Sequence, residues 1–301
     1  MADVFVAGSI NQDFVLSVER RPAPGETVTD ARLATHNGGK GANQAAAAVL
    51  LGASVAFLGR VGDDGFGEPL VRSLSDKGVD TSLVQESPGS STGMAFITVT
   101  PDGENAITVA PGANRRLTAE DVDDASESIG EAQVLIAQME VPPEVVQRAV
   151  EVAAESGTRS LVNLAPPFEV PRALLKKLDP LVINEHEAAF LLGEWVEGVD
   201  GALDAASRLL SLGPRSVVVT LGEDGAVFSG GESAQHLTAP KVKVVDTTGA
   251  GDAFVGALAA RLAGDAPLKD AVAYAVRAGA AAVTEAGAQG SLPTPETVEA
   301  L

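Results

Sequence analysis

The stretch from Val244 to Phe254 reads VVDTTGAGDAF, and the interpretation of the whole chain starts from it. A β-branched pair runs into a glycine-rich turn, and a helical pattern follows the turn. Glycines let a backbone approach a ligand closely, and the unpaired N–H groups at the start of a helix bind anions. Asp252 stands among those N–H groups. A carboxylate there can accept a proton from an alcohol while the N–H groups stabilise charge on a transferred phosphoryl group.

Two other interpretations of this stretch stay open on the residues alone. Gly249, Gly251 and Gly256 lack the GxGxxG spacing of a dinucleotide site, and the stretch lies late in the chain, which weakens that interpretation. Asp252 could also be an ordinary helix N-cap.

Short apolar runs alternate with helical patterns along most of the chain. Buried strands are predicted at 3–7, 55–58, 134–137, 161–164, 181–183 and 217–220. Helices are predicted at about 40–51, 66–77, 119–129, 143–156, 185–192, 202–212, 250–263, 268–284 and 294–301. This alternation predicts a three-layer α/β/α fold with a mostly parallel central sheet.

Two segments interrupt the alternation, at about 12–37 and 91–112. Each contains two extended runs around a turn signal, PAPGE at 22–26 and PDGE at 101–104. We expect both segments to pair into one small antiparallel sheet, a lid over the strand ends where open α/β sheets bind ligands. Two surface hairpins without a role are the alternative. The chain 1–301 is then a single domain with a lid formed by two insertions.

The composition excludes several classes of protein. There are 41 acidic and 21 basic side chains, and the net charge of −20 disfavours contact with nucleic acid or anionic lipid. Any phosphate that the protein binds must therefore be held by backbone N–H groups, a helix end or a metal. The sequence has no cysteine, which excludes disulfides and thiolate zinc and favours a reducing cytoplasm. The start, MADVFVAGSIN, predicts a strand rather than a signal peptide, and no apolar run predicts a membrane span.

A second glycine turn, NGGKGANQA at 37–45, opens the first long helix. It is not a P-loop, because Gly41 follows Lys40 where a Ser or Thr would bind Mg²⁺. Lys40 and Asn43 are three residues apart and can point from one helix end toward a polar ligand. A flexible surface turn would explain the glycines equally well.

Polar or glycine-rich residues follow three predicted strands. Asn11 and Asp13 lie on one side of an extended segment, and Asp13 is suited to accept hydrogen bonds from adjacent hydroxyls or to form a turn. Asn184 and Glu187 share a helix face and could hold a hydrated Mg²⁺ or form a capping box. The stretch TLGEDG at 220–225 could admit a flat purine or be a hairpin.

The order of these motifs resembles that of the ribokinase-like (pfkB) carbohydrate kinases over essentially the whole chain. The motifs in register are GSINQD at 8–13, PGET at 24–27, GGKGANQA at 38–45, QMEVP at 138–142, NEHE at 184–187, DTTGAGD at 246–252 and GAQGSLP at 287–293. The resemblance implies ATP-dependent phosphorylation of D-ribose at its 5-hydroxyl, giving ribose 5-phosphate and ADP. The alternative acceptors are 2-deoxyribose, fructose, a nucleoside or a sugar phosphate, and the polar side chains at 11, 13, 40 and 43 favour a small polyol over a nucleoside.

The resemblance also implies a role for each matching residue. Asp252 would be the catalytic base, and the anion hole would be formed by Gly249, Ala250 and Gly251. The sugar would be held by Asn11, Asp13, Gly39, Lys40, Gly41, Asn43, Glu140 and Asp252. ATP would contact Asn184, Thr220, Leu221, Gly222, Glu223, Asp224, Gly225 and Gly251. Glu187 would order Mg²⁺ through water, and an activating K⁺ would be bound by Asp246, Thr248, Ala282, Glu285, Gly287 and Ser291, mainly through carbonyls.

The family further implies a homodimer joined through the lid sheet. The cytoplasmic location and the absence of nucleic acid and membrane partners are expected from the composition alone. Two departures from the family pattern are mild: QGSLP at 289–293 replaces QPSVP, and Glu285 stands where a basic residue can occur. A non-catalytic sugar-binding protein on the same scaffold is the competing class. The presence of Asp252, Asn184 and Glu187 argues against it.

Overall fold

The computed structural model describes residues 2–102, 104–231 and 233–301. The strands are β1 (Val4–Ala7), β2 (Asn11–Ser17), β3 (Arg32–Gly38), β4 (Val55–Gly62), β5 (Asp80–Ser87), β6 (Gly93–Val99), β7 (Asn105–Ala110), β8 (Val134–Gln138), β9 (Arg159–Asn163), β10 (Leu178–Asn184), β11 (Val217–Thr220), β12 (Ala226–Ser229) and β13 (Gln235–Leu237). The helices are α1 (Lys40–Leu50), α2 (Gly67–Asp76), α3 (Ala119–Asp124), α4 (Ser126–Glu131), α5 (Pro143–Ser156), α6 (Arg172–Leu175), α7 (Glu185–Leu192), α8 (Gly198–Leu210), α9 (Ala250–Ala263), α10 (Leu268–Ala282) and α11 (Pro295–Glu299).

A central sheet of nine strands forms within the described residues, in the order β13-β12-β11-β10-β9-β8-β1-β4-β5. The pairings from β11 to β5 are parallel, and the two at the β13 edge are antiparallel. The predicted mostly parallel sheet is confirmed. The edge strand β5 was not predicted, because its half-exposed sequence DTSLVQES lacks the continuous apolar run of a strand buried on both faces.

Helices cover both faces of this sheet, because the buried side chains of β1 alternate between the two faces. Val4 and Val6 belong to one apolar cluster with α1, α9 and α10, whereas Phe5 and Ala7 belong to a second with α5 and α8. Successive side chains of a strand point to opposite faces, so each fully buried strand contributes to two cores. The predicted three-layer α/β/α fold is therefore confirmed.

Close packing of α1 against α9 brings two distant motifs together. A Cβ on Gly256 would lie 2.5 Å from the Cβ of Ala47 and 2.7 Å from the backbone oxygen of Gln44, so only glycine fits there. The alanines at 45–48 are fully buried and leave room for this approach. The start of α1 therefore lies beside the start of α9.

The lid is a separate four-stranded sheet in the order β3-β2-β6-β7. The outer pairs β2–β3 and β6–β7 are antiparallel, as predicted, and the central pair β2–β6 is parallel. The parallel pair arises because β2 and β6 follow β1 and β5, which run in the same direction in the central sheet. The turn signal at 101–104 includes Gly103, which lies outside the described residues.

Most predicted helices lie close to the observed ones, but α8 begins four residues earlier than predicted, and α6 was not predicted. The prediction of one helix over 119–129 is wrong, because Ala125 (φ −91°, ψ 5°) separates α3 from α4. Among the residues described, no helix is both long and apolar enough to cross a membrane.

Candidate active site

A cavity of about 240 Å³ opens at the carboxyl ends of the central strands, between the amino ends of α1, α7 and α9. It is lined by Lys40, Asn163, Ala165, Val182, Asn184, Glu187, Thr220, Thr247, Gly249, Gly251, Asp252 and Val255. Residues from four predicted motifs thus meet where open α/β sheets bind their ligands.

Asp252 is the third residue of α9 and is buried at the bottom of this cavity. Both carboxylate oxygens accept amide hydrogen bonds: Oδ2 from Nδ2 of Asn43 at 2.9 Å and Oδ1 from Nε2 of Gln44 at 2.9 Å. Burial raises the pKa of Asp252, while the charge of Lys40 and the two amides act to lower it. The N-cap of α9 is Gly249, so the alternative that Asp252 is a plain N-cap is wrong.

The start of α9 leaves room for an anion beside Asp252. Gly249 has φ 80°, and a Cβ there would lie 3.0 Å from Cα of Ala288, so the turn requires glycine. A Cβ on Gly251 would meet no described atom within 4 Å, because this residue faces the cavity. The N–H of Ala250 donates to the carbonyl of Thr247 at 3.3 Å. The N–H of Ala253 donates to the carbonyl of Gly249, whereas the N–H groups of Gly251 and Asp252 have no backbone partner among the described residues and are suited to bind an anion.

Two buried oxygen atoms near Asp252 have no hydrogen-bond donor within the described residues. They are Oδ1 of Asp13, on β2, and Oδ1 of Asn43, on α1. Burial and the negative charges of Glu140 and Asp252 raise the pKa of Asp13 to about 7, against the positive charge of Lys40. Buried acceptors without donors are costly, so the arrangement fits a ligand that supplies hydroxyl hydrogens.

Asn11 is fixed by a residue that the sequence analysis missed. Its Oδ1 accepts from Nδ2 of Asn114 at 2.7 Å, and Oδ1 of Asn114 accepts from the N–H of Ile10 at 3.0 Å. The amide N–H₂ of Asn11 donates to no other described residue, so it remains available to a ligand. Asn114 follows the second lid segment, and no local pattern in the sequence connects it with Asn11.

Lys40 begins α1 and lies at the centre of a cluster of carboxylates. Burial acts to lower the pKa of Lys40, but the charges of Asp252, Glu140, Glu187 and Asp13 outweigh it and raise this pKa. The ammonium is therefore held charged, and it partly neutralises the four carboxylates of the site.

Glu140 caps α1 from the loop after β8. Its Oε2 accepts from Oγ of Ser9 at 2.6 Å and from the N–H of Lys40 at 3.0 Å. A Cβ on Gly39 would lie 2.8 Å from the N of Asn11, and one on Gly41 would lie 2.6 Å from the N of Ser9. The two glycines therefore allow the start of α1 to lie directly against the segment that carries Asn11.

Asn184 and Glu187 form a reciprocal capping box at the start of α7. The N–H of Asn184 donates to Oε2 of Glu187 at 2.8 Å, and the N–H of Glu187 donates to Oδ1 of Asn184 at 2.9 Å. The alternative of a capping box is thus present, and both side chains also line the cavity. Burial raises the pKa of Glu187, against the hydrogen bond from Asn184 and the charge of Lys40.

The stretch 220–225 is a hairpin at the edge of the cavity. Thr220 ends β11, lines the cavity and donates to the carbonyl of Ile183 at 3.3 Å. A single 3₁₀ turn, Gly222–Asp224, then reverses the chain, flanked by the buried Leu221 and by Gly225. A Cβ on Gly225 would lie 2.1 Å from the carbonyl oxygen of Leu237, so close contact with β13 requires glycine.

Asp246 joins the loop before α9 to the loop after α10. Its Oδ1 accepts from the N–H of Thr248 at 2.9 Å, and its Oδ2 accepts from the N–H of Gly287 at 2.9 Å. Burial acts to raise the pKa of Asp246, but these hydrogen bonds lower it. Ser291 donates to the carbonyl of Gly287. Ala282 is the buried last residue of α10, whereas Glu285 is exposed.

In the described part of the chain, no group of three or more His, Asp or Glu side chains has the arrangement of a metal site. A metal ion at this edge would therefore depend on backbone oxygens, water or the ligand.

Three amides near Asp252 were also missed by the sequence analysis: the fully buried Gln44 and Gln138 and the partly buried Asn163. Gln44 and Gln138 are within the quoted motifs GGKGANQA and QMEVP, which was an available signal. Asn163 ends β9 and lines the cavity.

A buried carboxylate at a glycine-rich helix start, together with a small separate sheet that brings Asp13 near it, is an arrangement that suits a small-molecule kinase. The pattern of the pfkB family carbohydrate kinases matches residues 1–295, and the chain belongs to this family.

Ribokinases and deoxyribokinases are similar in sequence to this chain over nearly its full length. Ribokinase from Staphylococcus aureus is 39% identical over 298 residues, which are 98% of this chain and 98% of that protein. Deoxyribokinase from Salmonella typhimurium is 37% identical over 295 residues, 98% and 96% of the two chains. The structure of Arabidopsis thaliana ribokinase complexed with ribose and ATP superposes with a TM-score of 0.91 at 30% identity, covering 99% and 98% of the two chains.

Proposed function

We propose that this protein phosphorylates D-ribose at its 5-hydroxyl with ATP, giving ribose 5-phosphate and ADP. The observation that carries the proposal is the pair of buried acceptors without donors, Oδ1 of Asp13 and Oδ1 of Asn43, near Asp252. The ribokinase relatives and the solved ribokinase with ribose and ATP support it.

The acceptor side is built for a small polyol. The ionised Asp13 and Oδ1 of Asn43 accept from sugar hydroxyls, while the N–H₂ of Asn11 and the ammonium of Lys40 donate. Gly39, Gly41 and Glu140 shape this side by holding the start of α1 in place. A nucleoside would need an apolar or aromatic surface for its base, and these side chains are polar.

The chemical step uses Asp252 and the start of α9. The carboxylate of Asp252 accepts the proton of the attacking hydroxyl, and the N–H groups at Gly249, Ala250 and Gly251 stabilise the charge that develops on the transferred phosphoryl group. ATP lies along the cavity toward Asn184, Thr220 and the turn through Leu221, Gly222, Glu223, Asp224 and Gly225.

Mg²⁺ is the metal we propose for the nucleotide. Glu187 uses Oε2 in its capping box, and its Oε1 makes no hydrogen bond to another described residue. Because the carboxylate lines the cavity, Oε1 fits a water ligand of Mg²⁺, an ion that retains several waters when it binds. Mg²⁺ supplies charge neutralisation for the phosphates.

We also propose K⁺ as an activator near Asp246. The hydrogen bonds from Thr248 and Gly287 hold two loops together around its carboxylate, and the second of these loops is fixed by the bond from Ser291 to the carbonyl of Gly287. Carbonyl oxygens and one carboxylate suit a large, weakly hydrated cation, with Ala282 and Glu285 as the remaining contributors implied by the family.

A homodimer through the lid is part of the proposal. The lid sheet exposes the apolar side chains Leu33, Phe96, Ile107 and Val109, each more than 40% exposed. The strand pairings place Ile107 and Val109 on one face of the sheet and Leu33 and Phe96 on the other, so pairing with a second lid through the first face would bury Ile107 and Val109. Light scattering should report a dimer, and Ile107→Lys should shift it to a monomer; an unshifted mass would contradict this interface. A cytoplasmic location goes with the reaction, because it consumes ATP.

The test is ADP release by the purified protein with Mg²⁺ and ATP over a panel of pentoses, hexoses and nucleosides. We expect the highest kcat/KM with ribose, and phosphorus NMR should place the product phosphate on C5. A preference for 2-deoxyribose would retain the chemistry and change the acceptor. No turnover with any sugar, by a protein that binds ATP, would overturn the proposal in favour of a sugar-binding protein.

A further inference from the structure

The carboxylate of Asp252 is held from behind by an amide that does not line the cavity. Gln44 is fully buried on α1, and its Nε2 donates to Oδ1 of Asp252 at 2.9 Å. A Cβ on Gly256 of α9 would lie 2.7 Å from the backbone oxygen of Gln44. The backbone of Gln44 is therefore packed against the helix that carries Asp252.

Two further amides fix which way the Gln44 side chain points. Nε2 of Gln44 also donates to Oδ1 of Asn163 at 3.1 Å, and Oε1 of Gln44 accepts from Nε2 of Gln138 at 2.7 Å. Asn163 is held in turn, because its Nδ2 donates to the carbonyl of Val182 at 3.3 Å. A flipped Gln44 amide would direct its oxygen at the carboxylate of Asp252 and at Oδ1 of Asn163, and both contacts would be repulsive.

Gln138 is packed against Gly8, and its buried Oε1 has no hydrogen-bond donor among the described residues. A Cβ on Gly8 would lie 2.4 Å from Oε1 of Gln138, so the chain leaves β1 through a glycine to make room. Gln138 is fully buried at the end of β8, where its Nε2 reaches Gln44. Polar side chains buried this deeply are retained at a cost in desolvation, which points to a role for the chain of amides.

We propose that Gln44, oriented by Gln138 and Asn163, is a positioning residue that holds the Asp252 carboxylate in the geometry that accepts the proton of the substrate hydroxyl. The inference deepens the proposed function and rests on Asp252 being the base. Gln44 occupies one lone pair of Oδ1 and Asn43 one of Oδ2, so each oxygen retains a lone pair that no described residue occupies, on a side chain that lines the cavity.

The same hydrogen bond affects the protonation of Asp252. The charged groups that act on this carboxyl are Lys40 at the start of α1, Glu140 after β8 and Asp13 on the lid strand β2. Burial raises the pKa of Asp252, and the amide of Gln44 is among the groups that oppose this rise. Removal of that amide raises the pKa further, and the base is then protonated up to a higher pH.

The first experiment compares the pH dependence of kcat in Gln44→Leu, Gln138→Leu and the double variant. We expect the acidic limb of Gln44→Leu to move up by roughly one pH unit, since a hydrogen bond to a charged group has about that effect. Gln138→Leu should move it less in the same direction, and KM for the sugar should change by less than about threefold because neither side chain lines the cavity. The double variant should match Gln44→Leu, because Gln138 acts through Gln44.

The matched control is Thr158→Val. Thr158 is buried at the opposite end of β9 from Asn163, and its Oγ1 donates to the carbonyls of Ile129 and Ala132. This variant loses buried hydrogen bonds and some stability, and its acidic limb should remain at the wild-type pH. An unmoved limb in Gln44→Leu, or shifts that add in the double variant, would overturn the positioning role.

A second measurement does not depend on turnover. Carbon-13 NMR of aspartate carboxyl carbons identifies Asp252 as the signal lost in Asp252→Asn, and its titration midpoint is compared in the wild type, Gln138→Leu and Gln44→Leu. We expect a higher midpoint in both variants. A raised midpoint in a protein that phosphorylates no sugar would retain the positioning role and refute the proposed function. Equal midpoints would refute the positioning role alone, and if Gln44→Leu does not fold, Gln138→Leu carries the test.

Discussion

Replacement of Asp13 by Asn tests whether the buried Asp13 carboxylate lowers the stability of the protein when no ligand is bound. Asp13 is 8% exposed, has no donor on Oδ1 among the described residues, and has its pKa raised from the usual 3.8 to about 7. This difference of about three pKa units corresponds to about 4 kcal/mol at about 1.4 kcal/mol per unit. Asn retains the shape but needs partners for its own amide, so we expect about half of this, roughly a 2 kcal/mol gain in the free energy of unfolding.

The sign of the pH dependence follows from proton binding. Between about pH 4 and pH 7 the folded protein holds the Asp13 proton while the unfolded chain has released it. The protonated Asp13 therefore makes its whole contribution to the free energy of unfolding below about pH 4. This contribution is lost as the pH rises through 7 and does not return at higher pH. Because Asn does not titrate, the stability of Asp13→Asn does not decline over this pH range. Without ligand, its melting temperature should lie below that of the wild type near pH 4, equal it at about pH 5.5, and exceed it by roughly 4 °C at pH 8.

Bound sugar should favour the ionised form of Asp13, whereas the ligand-free protein favours the protonated form. Hydroxyl donors stabilise ionised Asp13, so ribose should bind the wild type more tightly as the pH rises through 7, and KM for ribose in Asp13→Asn should be higher by about 10- to 100-fold at pH 8. Scanning calorimetry and steady-state kinetics across pH 4.5 to 9 measure both effects. A difference in melting temperature that is constant with pH, or an unchanged KM, would refute the assignment of Asp13 as a desolvated acceptor for the sugar.

Three further changes test the rest of the site. Asp252→Asn retains the size and one acceptor but cannot take the hydroxyl proton, so kcat should fall by about 10²- to 10⁴-fold while ATP binding by calorimetry is retained; near-normal turnover would remove Asp252 as the base. Lys40→Met removes the positive charge that lowers the pKa values of Asp252, Glu187 and Asp13. Because these carboxylates are ionised more fully at high pH, the melting temperature of the variant should fall more at pH 8 than at pH 5. An equal fall at both pH values would contradict the stabilisation of ionised carboxylates by Lys40. Activity should be higher in K⁺ than in Na⁺ at equal ionic strength, with the difference largely lost in Asp246→Ala; equal rates in K⁺, Na⁺ and a bulky organic cation would mean that no such site is used.

Much of the architecture is readable from local sequence, because the elements that build it are short and strongly patterned. VFVA at 4–7 is buried on both faces, and such a run predicts a strand of a covered parallel sheet. The starts of α7 and α9 were predicted at 185 and 250, where they are observed, because glycine or a capping side chain sets each boundary. The same residues predicted the kind of chemistry, since a carboxylate among helix N–H groups is a local feature.

Other features of the molecule arise only when distant segments meet. Asn43 and Asp252 are 209 positions apart, and they share a hydrogen bond because Gly256 lets α9 lie directly on α1. Gln44, which donates to Asp252, and Gln138, which donates to Gln44, look like unremarkable polar residues until that packing buries them.

The chain's own sequence therefore determined the elements, their order and the types of reactive side chain, because periodicity and capping act over a few residues. Tertiary structure alone decided that the lid strands β2 and β6 run parallel, that Asn114 fixes Asn11, and that Asp13 becomes an acceptor with a raised pKa. These properties depend on strand pairing, helix packing and loss of water. Each is a relation between segments far apart in the chain, and no local pattern specifies it.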